Sequence, residues 1–183
     1  MLTRRHAVQL FFLTMCCVGF HNFAASQTAS HDANMNYSWE TYAEASTSNT
    51  DSLFGERGVG FRVGVGWKPD PSLELVADFE SQPSKNQRFT SVMVGPRFYL
   101  SDGRRISGFW QVLGGAYRAN FPVEAPRSAA WHYRWGGGLG VDAHITRNLA
   151  VRLFEFDITF VGTDVSAVLT PRAATGIAFC FGH

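Results

Sequence analysis

The chain of 183 residues carries 16 basic and 15 acidic side chains for a net charge of +1, so its charge gives no reason to expect a nucleic-acid partner. Charged residues make up only 17% of it and aromatics 14%, with 16 phenylalanines; an ordinary soluble protein carries roughly 25% charged residues. No apolar run reaches the roughly 18–20 residues that a membrane-spanning helix requires, which leaves strands as the way such a chain would meet a membrane.

The N-terminus has the layout of an export signal. Arg4 and Arg5 give a positive start, Ala7 to Phe20 an apolar run, and Ala24-Ala25-Ser26 the small residues of a cleavage site. The expected organisation is a cleaved signal over 1–26, a polar segment over 27–34 and one β-domain over 35–183. Thr3-Arg4-Arg5 and Leu13-Thr14-Met15-Cys16 resemble twin-arginine and lipoprotein signals, but the residues after the first and the bulk of Met15 fit the general secretion route better. Cys16 and Cys17 fall in the leader. Cys180 is then alone in the mature chain, excludes an internal disulfide, and reads as a small strand filler rather than a nucleophile.

Eight strand-like segments follow, over 35–46, 57–67, 72–81, 88–100, 106–118, 131–143, 149–161 and 169–181, each bounded by turn residues. Short links alternate with long ones. Lys68 to Pro71, Ser101 to Arg105 and His144 to Asn148 are turn-like; Thr47 to Glu56, Gln82 to Gln87, Ala119 to Ala130 and Gly162 to Val168 are longer. Outer-membrane barrels alternate in this way, with tight periplasmic turns and longer outer loops. Eight strands put both chain ends at the short-turn side. The loop Ala119 to Ala130, with Phe121, Pro122, Val123 and Pro126, is the best placed for outside contacts.

The segments split into two faces. Val59, Phe61, Val63, Val65 and Trp67 oppose Gly58, Gly60, Arg62, Gly64 and Gly66; Leu73, Leu75, Ala77 and Phe79 oppose Glu74, Val76, Asp78 and Glu80. Trp131, Tyr133, Trp135, Leu139 and Val141 oppose His132, Arg134, three glycines and Asp142; Phe154, Phe156, Ile158 and Phe160 oppose Glu155, Asp157 and Thr159. In the last segment Ala173, Thr175, Ile177, Phe179 and Phe181 oppose Arg172, Ala174, Gly176, Ala178 and Cys180. A soluble lipocalin-like barrel would bury the apolar face, and a membrane barrel would expose it to lipid. The export signal, the aromatics near segment ends (Tyr37, Trp39, Trp67, Trp131, Phe181) and the glycine-rich polar face favour the membrane barrel. The fold class expected is therefore all-β, an eight-stranded antiparallel up-and-down transmembrane β-barrel.

In that arrangement Glu40, Glu44, Arg62, Glu74, Asp78, Glu80, Arg97, Arg134, Asp142, Glu155, Asp157 and Arg172 form a lumenal charge network, with His132 near one end. A barrel of this size has an interior just wide enough for side chains, so a salt-bridged plug is the first reading. A narrow pore, or a small-ligand-binding site lined with carboxylates, is the alternative. An excess of acids would make a pore cation-preferring. No catalytic or metal-binding constellation stands out: His132 has no serine beside it on its strand, His31, His144 and His183 fall in the tail, a turn and the last position, and no two histidines have metal-ligand spacing. Gly136-Gly137-Gly138 lies inside a strand pattern rather than before a helix, so it is no phosphate loop. No enzyme, cofactor or metal is expected.

These residues resemble a family. Val94-Gly95-Pro96-Arg97-Phe98, Trp135-Gly136-Gly137-Gly138-Leu139-Gly140-Val141-Asp142, Asn148-Leu149-Ala150-Val151-Arg152 with Asp157, and Gly176-Ile177-Ala178-Phe179-Cys180-Phe181 look like strands of small bacterial outer-membrane β-barrel proteins with an OmpA-like transmembrane domain. The resemblance spans the mature chain and its motifs are architectural. It implies an eight-stranded antiparallel barrel inserted by the outer-membrane assembly machinery, for which the closing Gly-x-x-aromatic-x-aromatic pattern resembles a signal; a monomer surrounded by outer-membrane lipid and lipopolysaccharide is the state expected. It carries over no catalytic residue. Gly182 and His183 after the last aromatic depart from the family's ending, and no peptidoglycan-binding domain follows, so a tethering role is not implied.

Overall fold

The computed structural model describes residues 37–49, 57–83, 88–100, 105–120, 131–162 and 167–182. The period-2 pattern produces strands throughout: β1 (Trp39–Asn49), β2 (Arg57–Asp70), β3 (Leu73–Pro83), β4 (Arg88–Tyr99), β5 (Ile106–Asn120), β6 (His132–His144), β7 (Leu149–Gly162) and β8 (Ala167–Phe181). Each pairs antiparallel with the next, and β8 pairs with β1 to close the barrel. Closure gives the strand backbones partners on both sides and leaves no edge, the condition for crossing a bilayer with strands. Several strands run past their expected ends: β1 reaches Asn49, β2 Asp70, β3 Pro83 and β5 Asn120, so the barrel wall takes up parts of the expected links. The tip of the loop proposed for outside contacts, residues 121–130, and the leader lie outside the described residues.

Inside and outside follow the alternation with reversed polarity relative to a soluble protein. Val59 is 68% exposed and Arg62, three residues on, is 0% exposed. Phe61, Val63 and Val65 on β2, Leu75 and Phe79 on β3, Val92 and Val94 on β4, Leu139 on β6, Phe156 and Ile158 on β7 and Ile177 and Phe179 on β8 all face out. An apolar belt of this extent is untenable in water and suits lipid. Trp39, Trp67 and Phe181 lie side by side on adjoining strands at the short-turn end, while Trp131 and Tyr133 stand exposed at the loop end. Both positions suit interfacial aromatics. Tyr37 departs from the expected girdle. It is buried, its hydroxyl donating to Glu40 at 3.2 Å, because it precedes β1 on the inward phase.

One irregularity changes which side chains meet inside. Along β7 the pairing with β6 skips Leu153, and against β8 both Leu153 and Phe154 fall opposite the single residue Thr175. This bulge shifts the phase by one. Ala150 and Arg152 point inward before it, Glu155, Asp157 and Thr159 after it, and Leu153 and Phe154 both face out.

Candidate functional site

Seven of the eight strands contribute ionisable side chains to the interior. Glu40 and Glu44 come from β1, Arg62 from β2, Glu74, Asp78 and Glu80 from β3, Arg97 from β4, Arg134 and Asp142 from β6, Arg152, Glu155 and Asp157 from β7, and Arg172 from β8. All are buried. Charges so placed are tolerable only when partnered, and the partners come from across the barrel.

Glu155 is the hub. It pairs with Arg62, lies 3.4 Å from Arg152, 3.5 Å from Arg172 and 3.8 Å from Arg97, and accepts from the Gln111 amide at 2.7 Å. Toward the short-turn end, Arg152 grips Asp142 through two nitrogens at 2.8 and 3.0 Å and reaches Glu44 at 2.6 Å and Glu40 at 3.0 Å. Arg97 binds Glu40 at 3.2 Å, Glu74 at 3.1 Å and the Gln111 carbonyl at 3.1 Å. Toward the loop end, Arg172 holds Asp157 at 2.7 Å and Glu80 at 2.9 Å. Arg134 donates to Glu80 and to Ser91, both at 2.7 Å, and to Thr159 at 3.3 Å. Arg62 joins the two halves through Glu44 at 2.7 Å and Glu155.

Two rings organise the middle. The guanidiniums of Arg97 and Arg152 each lie against both Tyr42 (5.2 and 4.9 Å) and Phe109 (4.5 and 4.8 Å), and Arg62 stands 5.4 Å from Tyr42. The rings have room because glycines lie beneath them: a Cβ at Gly64 would overlap Tyr42, and one at Gly140 would overlap Phe109. The glycine-rich polar face predicted from sequence therefore makes space for side chains from neighbouring strands.

Aromatic groups lie at each end of the network. At the short-turn end the Lys68 ammonium sits between the Tyr37 and Tyr99 rings at 4.3 and 4.1 Å, and the Tyr99 hydroxyl donates to Glu74 at 3.1 Å. At the loop end Phe89 stacks on Tyr117 at 5.2 Å and Arg134 lies over Phe89 at 5.0 Å. Tyr117 donates to the Gly162 carbonyl at 2.8 Å, and His132 lies 5.5 Å from its ring. His144, expected in a solvated turn, ends β6 instead and meets the Ser107 hydroxyl at 3.3 Å.

All twelve residues named from sequence as the charge network are gathered here, and so is one that sequence reasoning missed. Arg152 makes more ion-pair contacts than most, yet the phase set by Phe154 and Phe156 would point it at lipid. The signal was present in the adjacent apolar pair Leu153-Phe154, which breaks alternation between a polar residue at 152 and one at 155. Chemically, the arrangement is a dense buried ion-pair lattice with an imbalance. Among the described residues eight buried carboxyl groups face five guanidiniums. Both Asp78 carboxylate oxygens and the Tyr42 hydroxyl have no hydrogen-bond partner among the described residues. No group of His, Cys, Asp and Glu suited to a metal occurs among the described residues.

No family model matches the sequence, and no curated protein does. Solved structures do match in fold. Neisserial surface protein A is similar with a TM-score of 0.62 at 15% identity, over 78% of this chain and 96% of that one. The N-terminal β-barrel domain of Pseudomonas aeruginosa OprF matches with a TM-score of 0.51 at 14% identity, over 78% and 97%. Ail, the attachment invasion locus protein of Yersinia pestis, solved with the heparin analogue sucrose octasulfate, matches with a TM-score of 0.52 at 14% identity, over 78% and 96%. The fold is that of a small bacterial outer-membrane β-barrel, and the apolar belt and charged interior agree with it.

Proposed function

We propose that this chain is an integral outer-membrane barrel, monomeric and non-catalytic, whose working surface is its outer loops and whose interior serves as a structural plug. The observation that carries the reading is the cross-barrel pairing. Glu155 on β7 engages arginines from β2, β4, β7 itself and β8, so the middle of the barrel is bridged by side chains. Aromatic groups lie at both ends of this lattice. The loops are left as the part free to vary. A surface protein and an attachment protein share the fold, which supports an interaction role. Outer-membrane lipid and lipopolysaccharide surround such a barrel, and the assembly machinery would insert it.

Heat-modifiable migration on a gel together with outer-membrane fractionation tests the membrane placement; recovery of the mature chain from the soluble periplasm would refute it. Planar-bilayer recording tests the plug, with no steady single-channel conductance expected. The competing reading is a narrow cation-preferring pore. It draws support from the surplus of carboxylates and from the polar atoms of Asp78 and Tyr42 that accept or donate no hydrogen bond among the described residues. A steady cation current abolished by Glu155→Gln with Asp157→Asn would replace the plug with that pore.

A further inference from the structure

We infer that the outer wall at the short-turn end carries a docking site for acidic phospholipid of the inner leaflet, built on Arg105 and Arg147; this rests on the outer-membrane reading above. Both arginines are exposed, and neither pairs with a carboxylate among the described residues. They belong to adjoining turns that are tied together. The His144 amide donates to the Arg105 carbonyl at 2.8 Å. The turn carrying Arg147 closes on itself through Ile145 and Leu149 at 2.9 Å, and is pinned to β8 by Asn148 and Cys180, which exchange bonds at 2.9 and 3.0 Å. The two guanidiniums thus rise from a fixed backbone, which lowers the entropic cost of gripping a ligand.

The surroundings say what that ligand is. Leu100, Ile106 and Ile145, beside the arginines, are 65, 60 and 63% exposed. Leu100 comes within 3.7 Å of where Gly108 would carry a Cβ, which puts it on the outer wall, continuous with the lipid-facing belt. A ligand meeting this surface must offer an apolar tail to the wall and an anion to the rim. A phosphodiester lipid does both, and guanidinium forks match its phosphate. The one exposed acid described at this end, Asp70, lies at the β2–β3 turn and is engaged by Ser72 at 2.6 and 2.9 Å.

The test uses the full mature barrel, folded in vesicles of phosphatidylethanolamine doped with phosphatidylglycerol or, separately, with lipopolysaccharide. Co-purifying lipid is counted by native mass spectrometry. Phosphatidylglycerol should be enriched several-fold around the wild-type barrel. Arg105→Gln with Arg147→Gln should lose that enrichment, while Arg88→Gln with Arg118→Gln, at the opposite end, keeps it. Equal enrichment in all three proteins, equal loss in both variants, or a lipopolysaccharide preference lost with Arg105 and Arg147 would each overturn the site. Heat-modifiable migration of every variant reports insertion separately, so a failure of the barrel reading is distinguished from a failure of the lipid site.

Discussion

Arg152 shows how much a single buried guanidinium carries in this barrel. It answers Asp142, Glu44, Glu40 and Glu155 at once and lies between two aromatic rings. Arg152→Met keeps much of the side chain's length but leaves those carboxylates short of a cation. Breaking a buried pair from one side costs about 3–5 kcal/mol, so the temperature at which the compact gel form is lost should fall steeply. Arg88→Met, at an exposed position, should shift it little, within about 0.5 kcal/mol. Equal behaviour of the two variants would refute a structural role for the lattice. Gly64→Ala tests the space beneath Tyr42. The added methyl must push the ring away from Arg62, Arg97 and Arg152, at about 1–3 kcal/mol. A larger residue at Gly114, where a Cβ would meet nothing, should be tolerated.

At the level of elements, β7 is where local pattern and final geometry part. Because Leu153 is the extra residue of the bulge, deleting it should restore plain alternation with Arg152 and Glu155 both still inward. Deleting Phe156 instead would turn the rest of β7 inside out, sending Asp157 to lipid and Ile158 to the lattice. The first deletion is expected to fold to a heat-modifiable species and the second to fail; the reverse order would show that the bulge is required for closure. This contrast also explains what could be read from sequence. The inner faces of β2, β3, β6 and the end of β8 were legible because charges or glycines alternate there with large apolar residues. On β5, Phe109, Gln111, Leu113 and Tyr117 face in while Trp110 and Val112 face out, and two faces of such similar polarity leave the phase unmarked. The Phe109 ring, against which two arginines lie, was hidden for that reason. Arg152 was hidden because a bulge is set by pairing on both sides of a strand, and no single-strand pattern reports it.

Across the whole molecule the interior has a sign. Among the described residues, eight buried carboxyl groups against five buried guanidiniums leave an acidic surplus that a new cation would relieve and a new anion would aggravate. Met93 is the place to ask. It is fully buried and stands opposite Asp78 on the neighbouring strand, whose carboxylate has no hydrogen-bond partner among the described residues and meets the Arg62 guanidinium only at 3.6 Å. Met93→Lys puts an ammonium on a flexible stem of similar length beside that carboxylate, so much of its desolvation cost is offset by the new pair. Met93→Glu puts another anion in the same place, an uncompensated buried charge of the kind that costs about 3–5 kcal/mol. The Lys variant should therefore keep its compact form to a distinctly higher temperature than the Glu variant, and the gap should persist in high salt because screening ions reach so buried a pair poorly. If the two variants melt together, or the Glu variant is the more stable, the surplus is already neutralised within the barrel and the interior exerts no net pull on cations.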